Sequence, residues 1–237
     1  MRNTVIALSL GLGLGLCSLS TVASPLEEQF TLMEKGADSA LDTRLLSYDG
    51  VDIQAWIDGA PVIIAVPIMN EQGKQEGESR YYFKGGKLFG VKEPAARFGF
   101  DDGGKLVQWL DEKGQPAEFV SKMSMQQRES WLTKRAAELA ELFAPSPAER
   151  KAASGGVKLK GADLAHWLCS GKLMALAGGD KVIFEQDKLK VGEQGIAGEV
   201  SLRQEKGWQD LGLQCEVQGT QVTRLTWRPL PGANKPQ

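Results

Sequence analysis

The sequence predicts an α+β protein: an antiparallel β-meander flanked by two helices, followed by a small disulfide-tied all-β unit. Three observations carry that prediction. Between residues 51 and 110, short apolar runs alternate with period two and are separated by Gly- and Asp-containing turns, the pattern of sequentially paired strands. On either side, apolar residues recur at spacings of three and four, the period of a helix with one buried face. Beyond residue 162 the runs are short again, and Cys169 and Cys215 fall among them.

The elements follow in chain order. Arg2 precedes an apolar run from Val5 to Leu16, and small residues follow at Thr21, Ala23 and Ser24. The run has the length of a signal-peptide core and falls short of the roughly 20 residues a bilayer span needs. Residues 1–23 are therefore read as a signal peptide and the protein as periplasmic. Leu14 and Gly15 resemble the end of a bacterial lipoprotein signal, but Leu16 stands where that pattern has Gly, Ala or Ser, so lipid anchoring at Cys17 is not expected. No later apolar span exists, so no transmembrane segment is expected in the mature chain.

Residues 24–143 form the first unit. Ser24-Pro25-Leu26-Glu27 reads as a capping box with Pro at the first helical position. Phe30, Met33, Ala37 and Leu41 continue a helix over 25–46. Val51, Ile53, Ala55 and Ile57 then share a strand face. A turn falls at 58–61, and Pro67 marks a strand end or edge in the next strand. Residues 69–79 read as a long polar hairpin loop. "RYYF", "KLFGVK", "RFGF" and "KLVQWL" complete the meander, with a turn at 111–116. Ser124 and Gln127 suggest a second cap, and Leu132, Ala136, Leu139 and Phe143 place a helix over 124–143 that lies on the sheet. Residues 144–161, rich in Pro, Ala, Ser, Gly and Lys, read as a linker. Residues 162–228 read as a small β domain, with "KLMALA" as its first strand, and 229–237 as a disordered tail.

"GGKL" occurs twice, starting at Gly85 and Gly103. A phosphate-binding P-loop would need Ser or Thr after the Lys and a helix behind it. Both copies run into Leu and a strand, so they are hairpin turns. A two-residue loop at Gly85-Gly86 sets Phe83 against Leu88 and Lys84 against Lys87. A three-residue loop at Asp102-Gly103-Gly104 sets Asp101 against Lys105 and Phe100 against Leu106, both favourable neighbours. Over about 30 residues, "YYFKGGKL … GFDDGGKL" resembles the units of MORN-type repeat meanders; the 18-residue offset between copies departs from that pattern.

Little else in the chain is catalytic in character. The single histidine, His166, has no nucleophile motif around it. Clustered Cys and His for zinc are absent from the sequence, as are the alternating oxygen ligands of a calcium loop; no cofactor is expected. Glu27-Glu28, Asp101-Asp102 and Asp111-Glu112 sit at a helix start and in turns, where carboxylates have ordinary roles. Net charge is −2, without the basic stripe of a nucleic-acid binder. In an exported protein, Cys169 and Cys215 read as one disulfide; the alternative is two unrelated buried thiols.

The sheet offers a candidate partner face. Strict alternation places Tyr82, Phe89, Val91, Val107 and Trp109 opposite Phe83, Leu88, Leu106 and Leu110. Either the first helix covers that face, which burial of such residues favours, or Tyr82, Phe89 and Trp109 form an exposed aromatic strip. The expected function is a non-enzymatic binding protein of the cell envelope (an inhibitor, immunity-type protein or assembly accessory) with a cell-envelope protein as its partner. Two alternatives stand beside it: a hydrolase using dispersed carboxylates, and a carrier of an apolar ligand.

Overall fold

A computed structural model describes residues 24–205 and 207–231. The leader, with Cys17, and the tail from residue 232 lie outside these. In chain order the elements are helix α1 (Pro25–Ala40), strands β1 (Asp42–Tyr48), β2 (Val51–Asp58), β3 (Ala60–Met69), β4 (Gln75–Lys84), β5 (Lys87–Glu93), β6 (Ala96–Phe100) and β7 (Leu106–Asp111), helices α2 (Lys122–Leu142), α3 (Pro147–Ala153) and α4 (Gly161–Ala177), and strands β8 (Lys181–Gly192), β9 (Gly195–Gln204), β10 (Gly207–Gln218) and β11 (Gln221–Pro229). The class is α+β, with a Cys169–Cys215 disulfide between α4 and β10. All eleven strands share one sheet, ordered β7-β6-β5-β4-β3-β2-β1-β11-β10-β9-β8. Each meander is antiparallel. They meet at a parallel pair, β1 beside β11, with Leu46 next to Leu225.

Local chemistry sets the turns and caps. Gly85 and Gly86 both have positive φ, 56° and 77°, as a two-residue primed turn requires. Lys84 pairs with Lys87 and Phe83 with Leu88. In the second turn the Lys105 amide donates to the Asp101 carboxylate at 2.9 Å, and Phe100 faces Leu106. Both registers match the sequence reading. Ser24 caps α1 by accepting from the Glu27 amide. The cap of α2 is Ser121, which accepts from the Ser124 amide, so α2 starts earlier than the Ser124 box implied.

Two bulges sort the side chains. Phe83 faces Leu88 but Tyr82 faces Gly90, leaving Phe89 as an extra residue. Phe100 faces Leu106 but Gly99 faces Gln108, leaving Val107 extra. One extra residue reverses the facing of everything beyond it. Val91 and Trp109 therefore join Phe83, Leu88 and Leu106 under α2. Tyr82, Phe89 and Leu110 lie under α1. Strict alternation had placed Val91, Trp109 and Leu110 on the wrong faces.

The core under α2 continues beneath α4, from Phe98 and Leu132 through Leu168 to Leu202 and Leu213. Among the described residues helix α1 covers the opposite face, with Phe30 and Leu26 against Trp56, Ile63 and Tyr82. Its close approach depends on glycine: a Cβ on Gly90 would lie 2.5 Å from the Phe30 ring.

Four local readings are corrected. Residues 42–46 are strand β1 and not the end of the first helix, because their partners lie in β2 and β11. The loop read over 69–79 closes sooner: the Asn70 side chain accepts from the Gln72 and Lys74 amides, and β4 begins at Gln75. "KLMALA" is the end of α4, whose buried residues Ala165, Leu168, Cys169, Lys172 and Leu173 follow a helical period and whose end is Gly178 at φ 67°. The disulfide consequently ties a helix, α4, to a strand, β10. Residues 144–161, read as linker, include α3 with a complete Ser146–Glu149 capping box.

A buried ion pair locks these helices together. Lys172 Nζ donates to the carbonyls of Leu142 at 3.0 Å and Ala144 at 2.7 Å, covering the C-terminal end of α2. Glu149 lies 3.6 Å from it and accepts from the amides of Ser146 and Val222. Burial pushes the Lys172 ammonium below its ordinary value, against the pull of Glu149.

Candidate functional site

The three residues of the expected partner face do not form one strip. Tyr82 is fully buried, its ring stacked on Phe30 with centroids 4.1 Å apart and its hydroxyl donated to Glu34. Burial, and then that carboxylate, raise its pKa. Phe89 is half-buried beside them, edge-on to Phe30 at 6.1 Å, with the Lys84 ammonium 3.5 Å over its ring. Trp109 lies on the opposite face against Phe98, at 5.1 Å. The sheet thus brings Tyr82 and Phe89 together and separates them from Trp109.

A charged cluster rims α1. Lys92 reaches Glu27 at 2.6 Å, Arg97 reaches the same carboxylate at 2.9 Å, and Arg80 bridges Glu78 and Glu34. Burial alone would raise the Glu27 carboxyl; the bonds and charges of Lys92 and Arg97 outweigh it and hold it below the ordinary 4.5. A groove of about 360 Å³ opens between these side chains. Its acids and bases face each other, so the cluster is internally neutralised.

The other face carries a different arrangement at its α2 corner. The Arg128 guanidinium lies between Phe98 and Trp131, 4.7 Å from each ring, and pairs with Glu93. Burial raises the Glu93 carboxyl although Arg128 opposes it. This stack holds Trp131 with half its surface outward. Alongside, the chain leaving β7 is pinned back to it: Leu110 bridges Pro116, and the Ala117 amide donates to the Trp109 carbonyl at 2.9 Å. Just past that pin, Phe119 has φ 58° and is 99% exposed, and Met123 at the start of α2 is 66% exposed. Met123, Gln127 and Trp131 are spaced four apart along one helix stripe.

Sequence reasoning did not single out Phe119. The available signal was an aromatic residue in a polar stretch, between a turn and a helix cap. Lys172 and Glu149 were also missed, because they sit in stretches read as strand and linker.

His166 lies on α4 with its ring 4.1 Å from Phe184, and Cys169, the nearest thiol in sequence, is committed to the disulfide. Among the described residues no group of three or more His, Cys, Asp or Glu is placed to hold a metal ion, and no helix is long and apolar enough to cross a membrane. No protein-family model matches the chain, and neither a curated protein nor a solved structure aligns with it significantly.

Proposed function

We propose that the protein is an exported, periplasmic, non-enzymatic binding protein of the cell envelope, an inhibitor, immunity-type protein or assembly accessory that docks a cell-envelope protein. The observation that supports this most directly is Phe119. A non-glycine residue in the left-handed region costs roughly 1–2 kcal/mol, and a fully exposed aromatic ring forgoes roughly 1.5–3 kcal/mol of burial. Among the described residues no packing against the Phe119 ring offsets these costs, since it is 99% exposed. Aromatic and Met side chains are the ones that anchor protein interfaces, and Met123 and Trp131 are exposed on the helix that follows Phe119. The disulfide suits an oxidising compartment such as the periplasm. The dispersed-carboxylate hydrolase has weaker support: Glu27, Glu34, Glu78 and Glu93 each face a basic partner.

A photo-crosslinking residue at position 119, expressed in cells, tests the reading. The expected result is one dominant envelope adduct, competed by excess wild-type chain and reduced about fivefold by Met123→Ala with Trp131→Ala, the loss expected for roughly 1 kcal/mol of contact. The same crosslinker at Leu32, an exposed position on α1, supplies the control. An adduct pattern shared with position 32, or one that excess wild-type chain does not compete, overturns the proposal.

A further inference from the structure

The sheet's second meander carries a cavity of about 530 Å³ between α4 and β8, lined by Asp163, His166, Phe184, Gln186, Leu189 and Val191. That volume falls within the range of small-molecule sites. The cavity is built by a detour in β8. Phe184 pairs with Val200 and Leu189 with Gly198, so four residues of β8 pass against one of β9. The strand can return only because position 198 is glycine; a Cβ there would lie 2.2 Å from the Lys188 carbonyl oxygen. Asp163 and His166, three apart on α4, face the detour together.

We infer that this cavity binds a small amphipathic organic cation: an aromatic or aliphatic body bearing an ammonium group. The lining selects that class. Phe184, Leu189 and Val191 offer apolar surface, while Asp163, His166 and Gln186 offer polar atoms. A purely apolar ligand, as a simple carrier would hold, desolvates the Asp163 carboxylate without a partner. An anion meets that carboxylate directly. A cation pairs with it and gains from the face of Phe184. Among the described residues no lysine or arginine lines the cavity; Lys188, in the detour, is held by Glu199 at 2.7 Å. The N-terminal end of α4 already has an anion nearby, since the Glu193 carboxylate lies 3.4 Å from where a Gly161 Cβ would be.

The test uses the mature chain without a histidine tag. His166 is the only histidine, so its ring-proton NMR signals report on the cavity without assignment. Phenethylamine, phenethyl alcohol and phenylacetate, matched in shape and differing in charge, are titrated into the millimolar range. The expected result is a saturable shift of the His166 signals with the amine and at least threefold weaker binding of the alcohol and the acid. Asp163→Asn should weaken amine binding about three- to fivefold, the range for an exposed ion pair. Its unchanged thermal midpoint would show the fold is intact, and Phe184→Leu should weaken all three probes. No saturable shift, equal shifts from the three probes, or an unchanged amine titration in Asp163→Asn overturns the inference. The crosslink at position 119 reads a different element, so either proposal can fail alone.

Discussion

The seven-stranded and four-stranded halves of the sheet are buried by different means. In the first half, helices lie on both faces, so Tyr81, Tyr82 and Phe83 are all buried although they are consecutive. In the second half the described residues cover only one face. Leu211, Leu213 and Cys215 point under α4, while Gln214 and Glu216 are exposed. A sheet covered on one side removes less apolar surface from water. That half is also where the disulfide and the fully buried ion pair sit: the Cys169–Cys215 bridge spans 46 residues, and Lys172 with Glu149 joins α2, α3, α4 and β11. In the chain-entropy account a loop of that size is worth roughly 4 kcal/mol at most.

Lys172→Met attacks the second half and should have the largest effect. It leaves the Glu149 charge buried and two carbonyls without a donor, and it should destabilise by about 3–5 kcal/mol in urea unfolding monitored by Trp fluorescence. A loss below about 1 kcal/mol, the value of a surface pair, would remove the claim that this half depends on the tie.

Gly90→Ala attacks the first half by packing alone. The added methyl meets the Phe30 ring and the Phe98 carbonyl, and overpacking of this kind costs about 1–3 kcal/mol. The same urea titration, with near-ultraviolet dichroism for the Phe30–Tyr82 stack, checks it. An unchanged midpoint would show that α1 is not pressed onto the sheet.

The smallest effect concerns the rim of α1. Because the folded Glu27 carboxyl lies below 4.5, its contribution is fully present above pH 4.5 and is lost as pH falls through the folded value. Glu27→Gln should therefore flatten part of the acid limb of a stability–pH curve while lowering stability slightly at neutral pH. The two curves converging at low pH is the expected measurement; a parallel offset at every pH would place the effect outside the titration of Glu27.

Several elements were legible because their causes are local. Positive φ at Gly85 and Gly86, the Asp101 turn, the Ser24 cap and the inward set Ile53, Ala55 and Ile57 all follow from residues within a few positions. Other features escaped. Strand β1 looked like the tail of a helix because its second partner, β11, lies far along the chain. The bulges at Phe89 and Val107 reversed a facing that strict alternation had assumed. Phe119 left only a weak sign, one aromatic in a polar loop.

The amino-acid order alone determined the helix and strand periods, the turn geometries and the cysteines available to pair. The periods and turns are fixed by backbone sterics and by hydrogen bonds between near neighbours, and the cysteines by composition. Only the tertiary structure decided that the two meanders merge through β1 and β11, that Lys172 is buried where it can bond α2, and that β8 leaves a cavity beside His166. Those outcomes depend on which distant segments become adjacent, and a local pattern carries no record of that.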